Sequence, residues 1–121
     1  MTLPLFEALD SGDRTAVTST LTLAETLVVP YRAGNDALAA RYETILTTST
    51  GLRMIGLSLS ILRGAARLRA AHRVRTPDAL QLATALAAEC SAFVTNDSGL
   101  PEMPGLRVLR LDDYLDTQAS A

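Results

Sequence analysis

Four short runs of aliphatic and β-branched residues, TAVTS, GLRMIGLS, SAFVT and LRVLRL, are separated by stretches whose apolar residues recur at helical spacing. That alternation leaves few architectures open. Successive strands of one sheet joined through helices run parallel, and a parallel sheet needs cover on both faces. The expectation is an α/β layered fold.

The intervening stretches carry their own punctuation. PLFEALDSG reads as a helix closed by the turn DSGD. STLTLAETLVVPYRAG is helical, with Ser19 or Thr20 as N-cap and Pro30 near its end. NDALAARYETILTTST is helical through Ile45, capped by Asn35 or Asp36, and LSILRGAARLRAAHRV is a third long helix. In TPDALQLATALAAEC, Thr76 is the expected N-cap and Pro77 the first helical residue, with Leu82, Ala83, Leu86 and Cys90 as the core stripe. NDSGLPEMPG is a loop, and DDYLDTQASA a short helical turn followed by a polar tail. No repeat or linker interrupts the chain, so residues 1–121 are taken as a single domain, able to bury roughly two thirds of its unfolded surface. One detail is unusual: parallel α/β domains generally open with a strand, and this sequence opens inside a helical pattern.

With 48% apolar residues a packed core is expected and global disorder is not. A formal charge of −2, with arginine as every basic residue, argues against a general electrostatic grip on nucleic acid. The single cysteine, Cys90, excludes an intramolecular disulfide and a cysteine-based zinc cluster. No stretch has the length of a membrane span, and the first residues lack the basic-then-apolar pattern of a secretion signal. The expected location is the cytoplasm.

Three carboxylates stand where a core has little use for them. Asp78 opens an apolar helix, where an acid gains from the exposed N–H groups of the first turn. Asp97 follows SAFVT, in ordinary turn chemistry, at the sheet edge where open α/β folds bind ligands. Glu25 lies among apolar residues in LTLAETLVV and must reach water, an arginine or a metal. If all three face one edge, charges about 5 Å apart repel by roughly 3 kcal/mol at an effective dielectric of about 20. Oxygen ligands of this kind favour Mg²⁺ or Mn²⁺ over zinc, and such a cation suits phosphodiester hydrolysis. Arg63, Arg67, Arg69, Arg73 and Arg75, with His72 among them, form the densest charge cluster. A solvated face is its ordinary reading and an RNA-phosphate flank the functional one.

TLAETL, TPDALQLATAL and FVTND followed by GLRVLRL resemble the PIN domain, especially the VapC-type toxins of bacterial toxin–antitoxin pairs, over about Leu5 to Leu115. The resemblance implies a three-layer fold and a metal-dependent endoribonuclease. It implies Glu25, Asp78 and Asp97 as catalytic and metal-binding acids, with Thr95 and Asn96 in support. It also implies an RNA substrate, a cognate antitoxin, a homodimer and no membrane role. The family's opening central strand, ending in Asp-Thr-Asn, has no counterpart here; a late start, a truncation or a partner strand are the three explanations. Its loss is expected to leave a hole with unmatched backbone groups and, at best, weak nuclease activity. The alternative is a catalytically degenerate PIN-like protein that binds antitoxin or RNA without cleavage. A receiver-like phosphoacceptor is disfavoured, because the sequence contains no lysine.

Overall fold

The computed structural model describes residues 15–96, 100 and 103–111. Its elements are β1 (Ala16–Ser19), α1 (Thr20–Arg32), α2 (Asp36–Thr48), β2 (Leu52–Ile55), α3 (Leu59–Ala71), α4 (Thr76–Ala88), β3 (Ala92–Thr95) and β4 (Arg107–Arg110). The strands form one sheet in the order β2-β1-β3-β4, and each neighbouring pair is parallel. The α/β reading therefore holds. The expected PLFEALDSG helix with its turn, the DDYLDTQASA segment and Asp97 lie outside the described residues.

Period-two alternation along the strands builds two cores. Ala16 and Val94 join Tyr42, Leu46, Leu52 and Leu111 on the face covered by α1 and α2. Their neighbours Val17 and Phe93 turn to the other face, with Leu82, Ala85, Leu100 and Leu106. A third cluster, Ile61, Ala65, Ala79 and Ala83, seals α3 against α4. The small residues there allow close approach: a Cβ at Gly64 would stand 3.5 Å from that of Ala83. The stripe in ALAARYETIL supplies Tyr42 and Leu46 to the first core. No helix of the described residues is long and apolar enough to cross a membrane.

Local chemistry explains most helix ends. Ser19 caps α1, its hydroxyl accepting from Thr22 N–H at 3.4 Å, and the Asn35 carboxamide caps α2 through Leu38 N–H at 3.1 Å. Beyond Ile45, α2 continues to Thr48. There the hydroxyls of Thr47, Thr48 and Ser49 donate to the carbonyls of Glu43, Thr44 and Ile45 at 2.7, 2.6 and 2.7 Å. The cap assigned to Thr76 is corrected: Arg75 is the N-cap of α4, with no side-chain cap bond, and Thr76 and Pro77 are already helical. Leu86 is also corrected, being 53% exposed rather than core. It borders a groove of about 390 Å³ between α3 and α4, lined also by Ile61, Leu68, Ala83, Arg67 and His72.

The centre of the sheet departs from the expected hole. β1 lies directly beside β3, though the register holds a single pair, Val17 with Phe93. A side chain takes over where the ladder is thin: the Thr18 hydroxyl donates to the Val94 carbonyl at 2.7 Å. The Thr22 hydroxyl approaches the same carbonyl at 3.5 Å. A buried carbonyl is thus matched by threonine hydroxyls rather than by strand N–H groups alone.

Two measurements follow from this packing. Thr18→Val, similar in shape but without the donor, is expected to destabilise the chain by about 1–3 kcal/mol in urea unfolding, with Thr18→Ser, which keeps the hydroxyl, recovering most of that loss. The Cys90 thiol, half-buried with its sulfur 3.7 Å from the Ala85 carbonyl, has its pKa raised chiefly by burial. Its alkylation is expected to rise at a higher pH than that of a free cysteine, because a raised pKa lowers the thiolate fraction at any given pH.

Candidate functional site

At the carboxyl edge of the sheet the core turns polar. Thr18 and Ser19 at the end of β1, Thr22 on α1, Gln81 and Thr84 on α4, and Thr95 ending β3 are all without exposure. Buried polar groups need partners, and these supply one another. The Gln81 carboxamide is the hub. Its Oε1 accepts from the Ser19 hydroxyl in a short bond. Its Nε2 donates to Thr22 Oγ1 at 2.8 Å and to Thr95 Oγ1 at 3.3 Å. One side chain therefore bonds to β1, α1 and β3 from α4. The apolar spacing of TPDALQLATAL points to Leu82, Ala83 and Leu86 and gives no place to Gln81. The available signal was a polar residue inside an apolar helix, three positions beyond Asp78 and hence on the same side.

Asp78 sits in the first turn of α4, as its place at the helix mouth suggested, and is 7% exposed. Arg75 Nε reaches its Oδ2 at 3.3 Å and Arg75 Nη2 its Oδ1 at 3.5 Å. The pairing is asymmetric: the Asp78 side chain is 10% exposed and that of Arg75 is 69%. The buried acid is thus matched by a cation that remains in water. Glu25 lies on α1, one turn beyond Thr22; it is half-buried, and its Oε1 is sealed from solvent. Thr95 is buried and hydrogen-bonded to Gln81, while Asn96 is half-buried at the bend after β3.

Gln81 thus joins the elements that carry the expected site. Glu25 lies three residues after one clamp residue, and Asp78 three residues before the hub. Asp97, two residues after Thr95, is outside the described residues. Among the described residues no group of three or more His, Cys, Asp or Glu side chains is arranged to hold a metal ion. The donors of this edge are all oxygen, the chemistry of Mg²⁺ or Mn²⁺ rather than zinc. Soft ligands are remote: Cys90 lies beyond the far end of α4 from Asp78, a helix roughly 20 Å long. His72, at the end of α3, is exposed. So are Arg63, Arg67, Arg69 and Arg73, of which Arg69 donates to the Val74 carbonyl at 3.1 Å, consistent with a solvated basic face.

Comparison with known proteins agrees with this architecture. The family model described as PIN domain matches residues 3–106. A chain in a solved toxin-antitoxin complex from Klebsiella pneumoniae is similar in fold, with a TM-score of 0.60 and 24% sequence identity. The match covers 83% of this chain and 78% of that one. Among curated proteins, none matches the chain significantly.

The solvent position of Arg75 sets a limit on what its ion pair contributes. Arg75→Gln is expected to change the urea midpoint by less than the equivalent of about 1 kcal/mol, with any loss shrinking further in high salt.

Proposed function

The chain belongs to the PIN domain family, and from that premise we propose that it is a metal-dependent endoribonuclease of the VapC toxin type, hydrolysing RNA phosphodiester bonds at the carboxyl edge of its sheet. The observation that carries the reading is Asp78: a carboxylate 7% exposed, at the mouth of an apolar helix, balanced by a largely solvent-exposed arginine. A structural acid in a first turn gains its dipole energy at the surface and has no need of burial. A buried one with an exchangeable counter-charge is suited to a second cation.

In this reading Asp78, Glu25 and Asp97 would hold Mg²⁺ or Mn²⁺. When bound, the ion would supply an activated water and offset charge on the phosphate. The chain's own groups do the rest. The apolar surroundings of α4 restrict water around Asp78 and strengthen the electrostatics there. Thr95 fixes the end of β3 through its bond to Gln81, and Asn96 offers an amide at the following bend. Arg75, whose side chain is 69% exposed beside Asp78, places a guanidinium where a substrate phosphate could meet it.

The same reading assigns a cytoplasmic location, a cognate antitoxin and a homodimer. Partner contact is supported by Val28, Val29 and Tyr31, apolar or aromatic side chains exposed towards the end of α1. A second reading is binding of RNA or antitoxin without cleavage, for which the exposed Val28, Val29 and Tyr31 of α1 would serve as the contact surface.

A single assay separates the two. End-labelled single-stranded RNA incubated with the chain and Mn²⁺ or Mg²⁺ is expected to be cut, with EDTA abolishing cleavage. Asp78→Asn and Glu25→Gln are each expected to slow it at least about 100-fold. RNA that is retained but intact in both metals would instead establish the binding module.

A further inference from the structure

Gln81 is wholly buried, and both ends of its carboxamide are engaged. The pattern has a direction. Ser19 Oγ accepts from Thr22 N–H as the cap of α1, which leaves its proton for Gln81 Oε1. Thr22 Oγ1 points its proton towards the Val94 carbonyl, which leaves a lone pair for Gln81 Nε2. The amide therefore has one satisfactory orientation, and it connects the first turn of α1, the last residue of β3 and the first half of α4.

Stability alone does not call for this arrangement. Replacing a hydrogen-bonded set by apolar groups of matching shape is often neutral, and nearby layers of the same core are apolar. What a directed polar network adds is a single relative placement of the elements it joins, which aliphatic packing enforces less strictly. The joined elements are those that carry the acids. On α1, Thr22 precedes Glu25 by one turn; on α4, Gln81 follows Asp78 by one turn; beyond β3, the chain passes through Asn96 to Asp97.

We infer that Gln81 is a positioning residue, whose amide locks α1 and β3 against α4 and so sets where the carboxylates of Glu25 and Asp78 stand relative to each other. This deepens the proposed metal-dependent reading and rests on it for its purpose, though the clamp can be tested without metal.

The full-length chain is compared with Gln81→Met, which keeps length but removes both donor and acceptor, and with Leu46→Ala as a control. Leu46 is fully buried on the opposite face of the sheet, so its truncation lowers stability away from the edge. The first readout is a double-mutant cycle of Glu25→Gln and Asp78→Asn, by urea midpoint without metal. The cycle is expected to be non-additive in the wild-type and Leu46→Ala backgrounds and additive in Gln81→Met. The second readout is Mn²⁺ affinity, expected to fall about 10–100-fold in Gln81→Met and to stay unchanged in Leu46→Ala. Should Gln81→Met not fold, Gln81→Leu also removes both donor and acceptor without adding charge and is expected to behave alike. Additivity in the wild type, non-additivity that survives both Gln81 substitutions, or equal effects from Leu46→Ala would overturn the inference. Coupling that disappears in Gln81→Met, in a chain whose wild type binds no Mn²⁺, would leave the clamp standing and remove the metal reading.

Discussion

A carboxamide with no access to water has to find an acceptor for its N–H groups and a donor for its oxygen, and Gln81 finds them on three other elements. Much of the carboxyl edge is arranged around that requirement. Ser19 ends a strand, caps a helix and meets the Gln81 oxygen, so the β1–α1 junction has little freedom. Thr22 links the same helix to both Gln81 and the Val94 carbonyl. The thin pairing of β1 with β3 is consistent with this division of labour. A single registered residue pair joins the strands, and side-chain bonds from Thr18 and Gln81 supplement it.

The architecture was legible where a pattern has one physical reading. β-branched and aliphatic runs between amphipathic helices imply a parallel sheet, and Ser19 and Asn35 are residues whose oxygens naturally meet orphan N–H groups. Errors arose where two local solutions compete. Thr76 is a better cap by composition than Arg75, yet the helix begins at Thr76 and Arg75 directs its guanidinium to Asp78. The three hydroxyls at the end of α2 signal a turn by composition, but they bond back to carbonyls and prolong the helix. Leu86 fits the apolar spacing and still faces a groove, because α3 does not cover that end of α4. Gln81 was missed for a different reason: its partners lie 59 and 62 residues away, or across the sheet at Thr95, and no local pattern announces them.

Charge is distributed with the same asymmetry as polarity. The arginines of α3 and the following bend stand in solvent, where the ionic atmosphere screens them and their contribution to stability is small. Arg75 is the member of that cluster that engages a buried carboxylate. A net charge of −2 therefore says little about this edge, where the local arrangement of Asp78, Glu25 and the Arg75 guanidinium sets the field.

One scaffold hosts many sites, so function is read from the site rather than from the fold. The decisive property is where the chain departs from local consistency. At Ala16 and Val17 of β1, in both sheet cores and at the α3–α4 contact, apolar patterning and burial agree. At the carboxyl edge they part: Thr18, Ser19, Thr22, Gln81 and Thr95 are sealed from water, and Asp78 nearly so. A chain selected for stability alone has apolar alternatives at each of those positions, so the concentration of exceptions at one edge points to a task beyond folding. The network is fully connected at its centre, and that matters as much as its polarity. A loosely satisfied cluster would let α1 and α4 slide, whereas a satisfied one fixes them to within a hydrogen bond.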